Sequence, residues 1–161
     1  MSDVIEQIKA TFPGAALSES NAFGQDVLVV APDKWQAVAR WLATESGFAF
    51  LSDLCGVDWL EVRGEARFEV VYNLTNFESK ARLTVKVPVA GDPPTARTVT
   101  DLWPAANWLE REAFDMFGIV FEGHPNLERI LMPDEWEGHP LRKDYAVGKV
   151  PIEFKHLSPG F

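Results

Sequence analysis

Two stretches alternate apolar and polar residues with period 2, and they constrain the fold more than any other feature of the chain. Phe68, Val70, Tyr72 and Leu74 share one side of the first, and Leu83, Val85, Val87 and Val89 share one side of the second. That is the pattern of strands with one buried face. The segment Asn76–Lys80 between them suits a hairpin with a longer loop. The opposite side carries Glu69, Asn73, Arg82, Thr84 and Lys86, so it is expected to be the wetter face.

Helical signals surround this hairpin. Residues 2–12 read as an amphipathic helix capped by Ser2, with Val4, Ile5, Ile8 and Phe12 on one face and Pro13-Gly14 as the stop. Gln25–Ala31 is a valine-rich run expected to form a buried strand. Asp33 is expected to cap a helix to about Ser46, with Trp35, Val38, Ala39 and Leu42 inward and Gly47 at its end. Pro104 opens a third helix that runs to Phe117 before Gly118. Its expected core stripe is Ala105, Leu109, Ala113, Met116 and Phe117. Trp108 and Phe114 fall outside that stripe, beside Glu110, Arg111 and Asp115. Large aromatics on a charged face point to a surface that a partner covers. The pattern predicts an α+β fold: a single domain over 1–140, with helices packed on a mixed, partly antiparallel β-sheet. From Leu141 to Phe161 no period persists, and an extended partner-docking tail is expected there.

Composition narrows the function. The chain of 161 residues carries a net charge of −9, which disfavours nucleic acid and anionic membranes as partners. No run reaches the roughly 18–20 apolar residues that span a bilayer, and the N-terminus lacks a basic region followed by an apolar run. The one cysteine, Cys55, supplies neither an internal disulfide nor a cluster ligand set. It stands in Leu54-Cys55-Gly56-Val57 and is expected to be a small buried thiol.

Candidate chemistry is sparse. Glu110 and Glu112 are two apart on a helix and point roughly 160–200° away from each other, so they do not form an acid–base pair. Arg111 and Asp115 are spaced for a helix-face ion pair, while Glu112 is expected at the edge of the stripe with a partner such as Arg129. His124, His139 and His156 sit in Gly- and Pro-rich coil without metal-ligand spacing. No nucleophile elbow or phosphate loop is present. No catalytic, cofactor-binding or metal site is expected. Phe121-Glu122-Gly123-His124-Pro125 and Trp136-Glu137-Gly138-His139-Pro140 repeat an aromatic, an acid, a glycine turn and His-Pro.

The run from Trp103 to Tyr145 resembles the C subunit of proton-pumping NADH:quinone oxidoreductase, respiratory complex I. The resemblance rests on Glu110-Arg111-Glu112, Asp115-Met116-Phe117, His124 and Arg129, followed by Glu137-Gly138-His139-Pro140-Leu141-Arg142-Lys143-Asp144-Tyr145. It reaches back through Asp53-Leu54, Val57-Asp58 and Arg67–Tyr72. Where the family usually has proline after Lys-Asp-Tyr, this chain has Ala146, and a longer C-terminal docking extension is expected to be missing. The resemblance implies a cofactor-free accessory subunit of the peripheral arm, in an assembly that couples electron transfer from NADH to quinone with proton translocation. FMN and iron–sulfur clusters would lie in partner subunits. The expected partner is the hydrogenase-large-subunit-like D subunit, with the complex held at the cytoplasmic face of the inner (plasma) membrane. Pattern and resemblance together place Trp108, Glu110, Arg111, Glu112, Asp115, Phe121 and His124 at the partner interface, with Arg129, His139, Arg142, Lys143, Asp144 and Tyr145. The equivalent subunit of a related membrane-bound hydrogenase or other quinone-reducing complex is the near alternative. A free-standing hydrolase using the acidic cluster and a stand-alone binding module are the distant ones.

Overall fold

A computed structural model describes residues 3–60 and 66–146. The elements in chain order are α1 (Asp3–Thr11), β1 (Ala16–Ala22), β2 (Gln25–Val30), α2 (Pro32–Thr44), β3 (Phe50–Asp58), β4 (Phe68–Thr75), β5 (Arg82–Val89), β6 (Thr95–Arg97), α3 (Ala106–Phe117) and β7 (Val120–Glu122). Five strands form one sheet in the order β1-β2-β5-β4-β3, and β6 pairs with β7. The β2–β5 pairing is parallel and the other three pairings of the larger sheet are antiparallel, so the sheet is mixed as expected.

The hairpin anchors the core. Val70 lies opposite Val87, Tyr72 opposite Val85 and Leu74 opposite Leu83, which aligns the predicted apolar faces in register. Ile5 and Ile8 of α1 and Trp35, Val38 and Leu42 of α2 join these residues in one buried cluster. The Trp35 and Tyr72 rings pack with centroids 4.5 Å apart. Asn76 shapes the hairpin turn, its side-chain oxygen accepting from the backbone N–H groups of Glu78 and Ser79.

Helix α3 lies against β3. Gly56 allows that approach, because a Cβ there would strike the Phe117 ring. The Trp103 indole N–H donates to Phe48 O at 3.0 Å, tying the start of this unit to the sheet. Gly118 closes the helix in the left-handed region at φ 72°. The helices thus cover one face of the sheet, and the opposite face carries Val27, Val29, Thr84 and Lys86 half-buried.

Several expectations shift. Strands β1 and β3 are additional to the pattern reading. Helix α2 starts with Pro32 in its first turn and Ala31 at the cap, with no side-chain cap from Asp33. Cys55 is exposed: it pairs with Val71, on the uncovered face opposite Leu54, so apolar neighbours in sequence do not bury it. Glu69, expected on the wetter face, is buried. Of the tail expected over 141–161, residues 141–146 are fixed to the body as described below, and 147–161 lie outside the described residues.

Candidate functional site

Helix α3 carries an unusual interior. Ala106, Ala113 and Met116 are buried, but so are Glu110 and Asp115, while Ala105 is exposed and Leu109 and Phe117 are half-buried. The core stripe is therefore rotated from the expected one. A second layer explains this: residues 123–146, which hold no helix or strand, form a strap over the outer side of α3.

The strap is fixed by side chains acting on main chain. Arg111 donates to the carbonyl oxygens of Glu128 and Arg129 at 3.0 and 2.9 Å. The Asp115 carboxylate accepts from the Arg129 guanidinium at 2.6 Å and from the backbone N–H groups of Ile130, Leu131 and Met132 at 3.0, 2.8 and 2.8 Å. Arg129 in turn donates to the carbonyls of Trp136 and Gly138. Burial alone would raise the Asp115 carboxyl, but these donors hold it below the ordinary carboxylate range. A buried carboxylate with one guanidinium and three amide donors is satisfied on nearly all its acceptor sites.

The second His-Pro turn is held the same way. His139 Nδ1 faces Asp115 O at 2.9 Å, the Leu141 N–H donates to Met116 O, and Arg142 Nε donates to Phe117 O at 2.6 Å. The His139 ring meets Phe114 edge-on at 6.3 Å. Burial, with Arg142 and Arg129 nearby, lowers the His139 pKa, so the neutral ring is favoured. Further along, Asp58 accepts from Arg67, from the N–H of Leu60 and from the N–H of Lys143, while Arg67 also holds Asp144 at 2.6 Å. Burial opposes the Asp58 charge, yet Arg67 and the two amides lower its pKa to about 2.

Glu110 belongs to a different arrangement. Its carboxyl accepts from the Thr98 hydroxyl at 2.6 Å and from the Val99 N–H at 2.8 Å, securing the turn that leads from β6 towards α3. Burial pushes its pKa up to about 7 against those two bonds.

The expected interface residues take different places in the chain. Glu110, Asp115 and Phe121 are buried within the chain. Arg111, Arg129, His139 and Arg142 turn inward onto the strap or the helix end, and His124 Nε2 lies 3.1 Å from Asn107 O. Arg111 does not pair with Asp115, because Arg129 occupies that carboxylate. Glu112 is exposed and Arg129 is engaged elsewhere. The Tyr145 hydroxyl donates to Glu137 O. Trp108, Glu112, Lys143 and Asp144 remain exposed. Glu110 and Glu112 therefore share no cleft, against the hydrolase reading. His124 and His139 attach to separate parts of α3, and among the described residues no three metal-type side chains converge; His156 lies outside them. Pattern reading overlooked Thr98, Asp58 and Arg67 as anchors, and also the exposed Ile130, Leu131 and Leu141. A clue existed in Ile130-Leu131-Met132, an apolar run inside otherwise polar coil.

The arrangement defines an α+β module that uses its charged motif to build a surface strap. Comparison with known proteins gives the family. The sequence model of the respiratory-chain NADH dehydrogenase 30 kDa subunit matches residues 28–151, and the chain belongs to this family. It is 48% identical over 153 residues to the NADH-quinone oxidoreductase C subunit of Roseiflexus sp. (strain RS-1), covering 94% of this chain and 87% of that protein. A fused NADH-quinone oxidoreductase C/D subunit of Nitrosospira multiformis is 38% identical over 98% of this chain and 28% of its own length. Among solved structures, a trypsin-resistant fragment (1-134) of Nqo5 has a TM-score of 0.66 at 37% identity, covering 77% of this chain and 96% of that one. A chain of the membrane-bound sulfane sulfur reductase, an archaeal respiratory membrane complex, has a TM-score of 0.75 at 30% identity, covering 89% and 84%.

Proposed function

We propose that this chain is the C subunit of an NADH–quinone oxidoreductase, where it scaffolds the peripheral arm and leaves the redox chemistry to other subunits. The observation that carries this reading is the use of the charged motif. Arg111, Asp115, Arg129 and Arg142 all hold the strap in place. A module so built supplies a rigid surface. FMN and iron–sulfur clusters belong, in this reading, to its partners, and electrons travel from NADH to quinone through them. The D-type subunit is the nearest of those partners, a reading supported by the relative in which the C and D subunits are one chain. Among the described residues no helix is long and apolar enough to cross a membrane, so association with the cytoplasmic face of the membrane would run through partners.

The test is affinity isolation of the tagged chain from gently solubilised native membranes. Recovery of cluster-bearing subunits together with an NADH-oxidising flavoprotein is the expected result. Recovery of the chain alone would refute the reading. The likeness to the sulfane sulfur reductase chain favours one second reading, the equivalent subunit of a respiratory complex with another electron acceptor. Co-isolated subunits without an NADH-oxidising flavoprotein would select it.

A further inference from the structure

The strap is fastened unlike the rest of the fold. No residue from 123 to 146 is buried, and of the strap's apolar side chains only the half-buried Leu127 packs against the core cluster. Strand β4 alone gives that cluster Phe68, Val70, Tyr72 and Leu74. What holds the strap is a set of hydrogen bonds gathered on the last three residues of α3. The Asp115 carboxylate takes the Arg129 guanidinium and the N–H groups of Ile130, Leu131 and Met132. Carbonyl oxygens in the last turn of a helix have no partner within the helix. Here the strap supplies donors to three of them: His139 Nδ1 to Asp115 O, the Leu141 N–H to Met116 O and Arg142 Nε to Phe117 O.

One residue ties these stretches together. Arg129 pairs with Asp115 through Nη1 and donates from Nη2 to Trp136 O and Gly138 O, so loss of the Asp115–Arg129 pair loosens 129–132 and 136–139 at once. When the strap lifts, each of its bonds is exchanged for bonds to water, which makes the net contribution of each one small. No fully buried apolar side chain of the strap has to meet water, and that exposure is the main cost of unfolding a core. Helix α3 does not need the strap to stay in place. Ala106 and Ala113 belong to the core cluster, Phe117 abuts Gly56, and Glu110 is bonded to Thr98 and Val99. The chain on either side is fixed separately, by the β6–β7 pairing ahead of the strap and by the Lys143 N–H on Asp58 at its end. Segments with few buried apolar contacts are the first to open in a native protein.

We propose that residues 129–142 form a latch, a single cooperative unit that lifts from α3 and recloses while the sheet and α3 stay folded. The chain then has two folded states, which differ in whether the last turn of α3 is covered. The closed state holds its shape because its stretches share one hub, and for the same reason they let go together. The latch is a property of the chain alone, whatever assembly it joins.

Amide hydrogen exchange of the full chain, followed residue by residue by NMR in water and in urea below the unfolding transition, tests this. In wild type the amides of Leu131, Met132 and Leu141 are expected to exchange through one shared opening. That opening should be populated about a hundredfold or more above the one that releases the amides of β4, and should depend little on urea, since it exposes little surface. Asp115→Asn is expected to raise the exchange of all three amides by one common factor of roughly tenfold or more. Arg129→Gln cuts the same pair from the strap side and is expected to do likewise, which keeps the test open if Asp115→Asn does not fold. A rise confined to Leu131 and Met132, with Leu141 unchanged, would overturn the single unit. Exchange of the three amides in step with β4 at every urea concentration would overturn the latch altogether, because the strap would then open only with the whole domain.

Discussion

Glu110 offers the most quantitative test of how α3 is built. Its carboxyl is fully buried, and burial pushes its pKa from the ordinary 4.5 to about 7. Between those values the folded chain keeps a proton that the unfolded chain has released. Stability therefore falls as pH rises through the window and levels off above about pH 7. At roughly 1.4 kcal/mol per tenfold change in proton affinity, the whole fall amounts to about 3 kcal/mol. Glu110→Gln removes the titration and keeps the hydrogen bonds. The amide oxygen still accepts from the Val99 N–H, and the amide nitrogen faces Thr98 Oγ1 with the donor role reversed, the Thr98 hydroxyl then turning to Thr100 Oγ1. Urea unfolding followed by tryptophan fluorescence, at intervals from pH 5 to pH 8, measures both proteins. The variant should match wild type near pH 5 and exceed it by about 2–3 kcal/mol at pH 8. Parallel pH profiles, or a variant less stable throughout, would refute the assignment of a buried carboxyl that resists ionisation.

The other anchors give expectations of different kinds. Asp58 has the opposite sign: its pKa is lowered to about 2, so its contribution of up to about 2 kcal/mol is present above pH 4 and is lost on acidification towards pH 2. Asp58→Asn should remove that acid-side slope in the same unfolding assay. Arg111→Ala or Arg142→Ala frees the strap from α3, and the amount of assembled complex on native gels should fall before the turnover of what assembles changes. Normal assembly with lost turnover would contradict a scaffolding role. Gly118→Ala places a side chain at φ 72° against His139 and Arg142, and should lower stability by more than about 1 kcal/mol in thermal or urea unfolding.

Sequence pattern carried further for the sheet and helices than for the site. Period-2 alternation located β4 and β5 because every second residue meets the helices. Strand β3 escaped notice: its register shifts between Leu51 and Asp53, and its Asp53 and Cys55 face the uncovered side. Strand β1, with Ser18, Glu19, Ser20 and Asn21, has little intrinsic strand preference and exists through its pairing with β2. Helix α3 was found, but a helical projection assumes one buried face. The strap adds a second that takes in Asp115, and the Thr98–Val99 turn takes in Glu110, so both became interior although their neighbours are charged. The strap itself follows no period, since side-chain-to-carbonyl bonds such as Arg111 to Glu128 and Arg129 fix it, and periodicity does not report them. The resemblance identified the motif residues; only their geometry showed that most of them face inward.

The strap separates two duties that a helix or strand usually merges. Its path is dictated by Arg111, Asp115, Arg129, His139 and Arg142, all acting on backbone atoms. Main-chain N–H and C=O groups are the same whichever side chain they carry. Outward positions such as 131, 134, 135 and 137 can therefore be rewritten without disturbing the fastening beneath them. In engineering terms the segment is a display loop on a fixed mount, and a recognition surface transplanted from another member of the family onto those positions should inherit the mount unchanged.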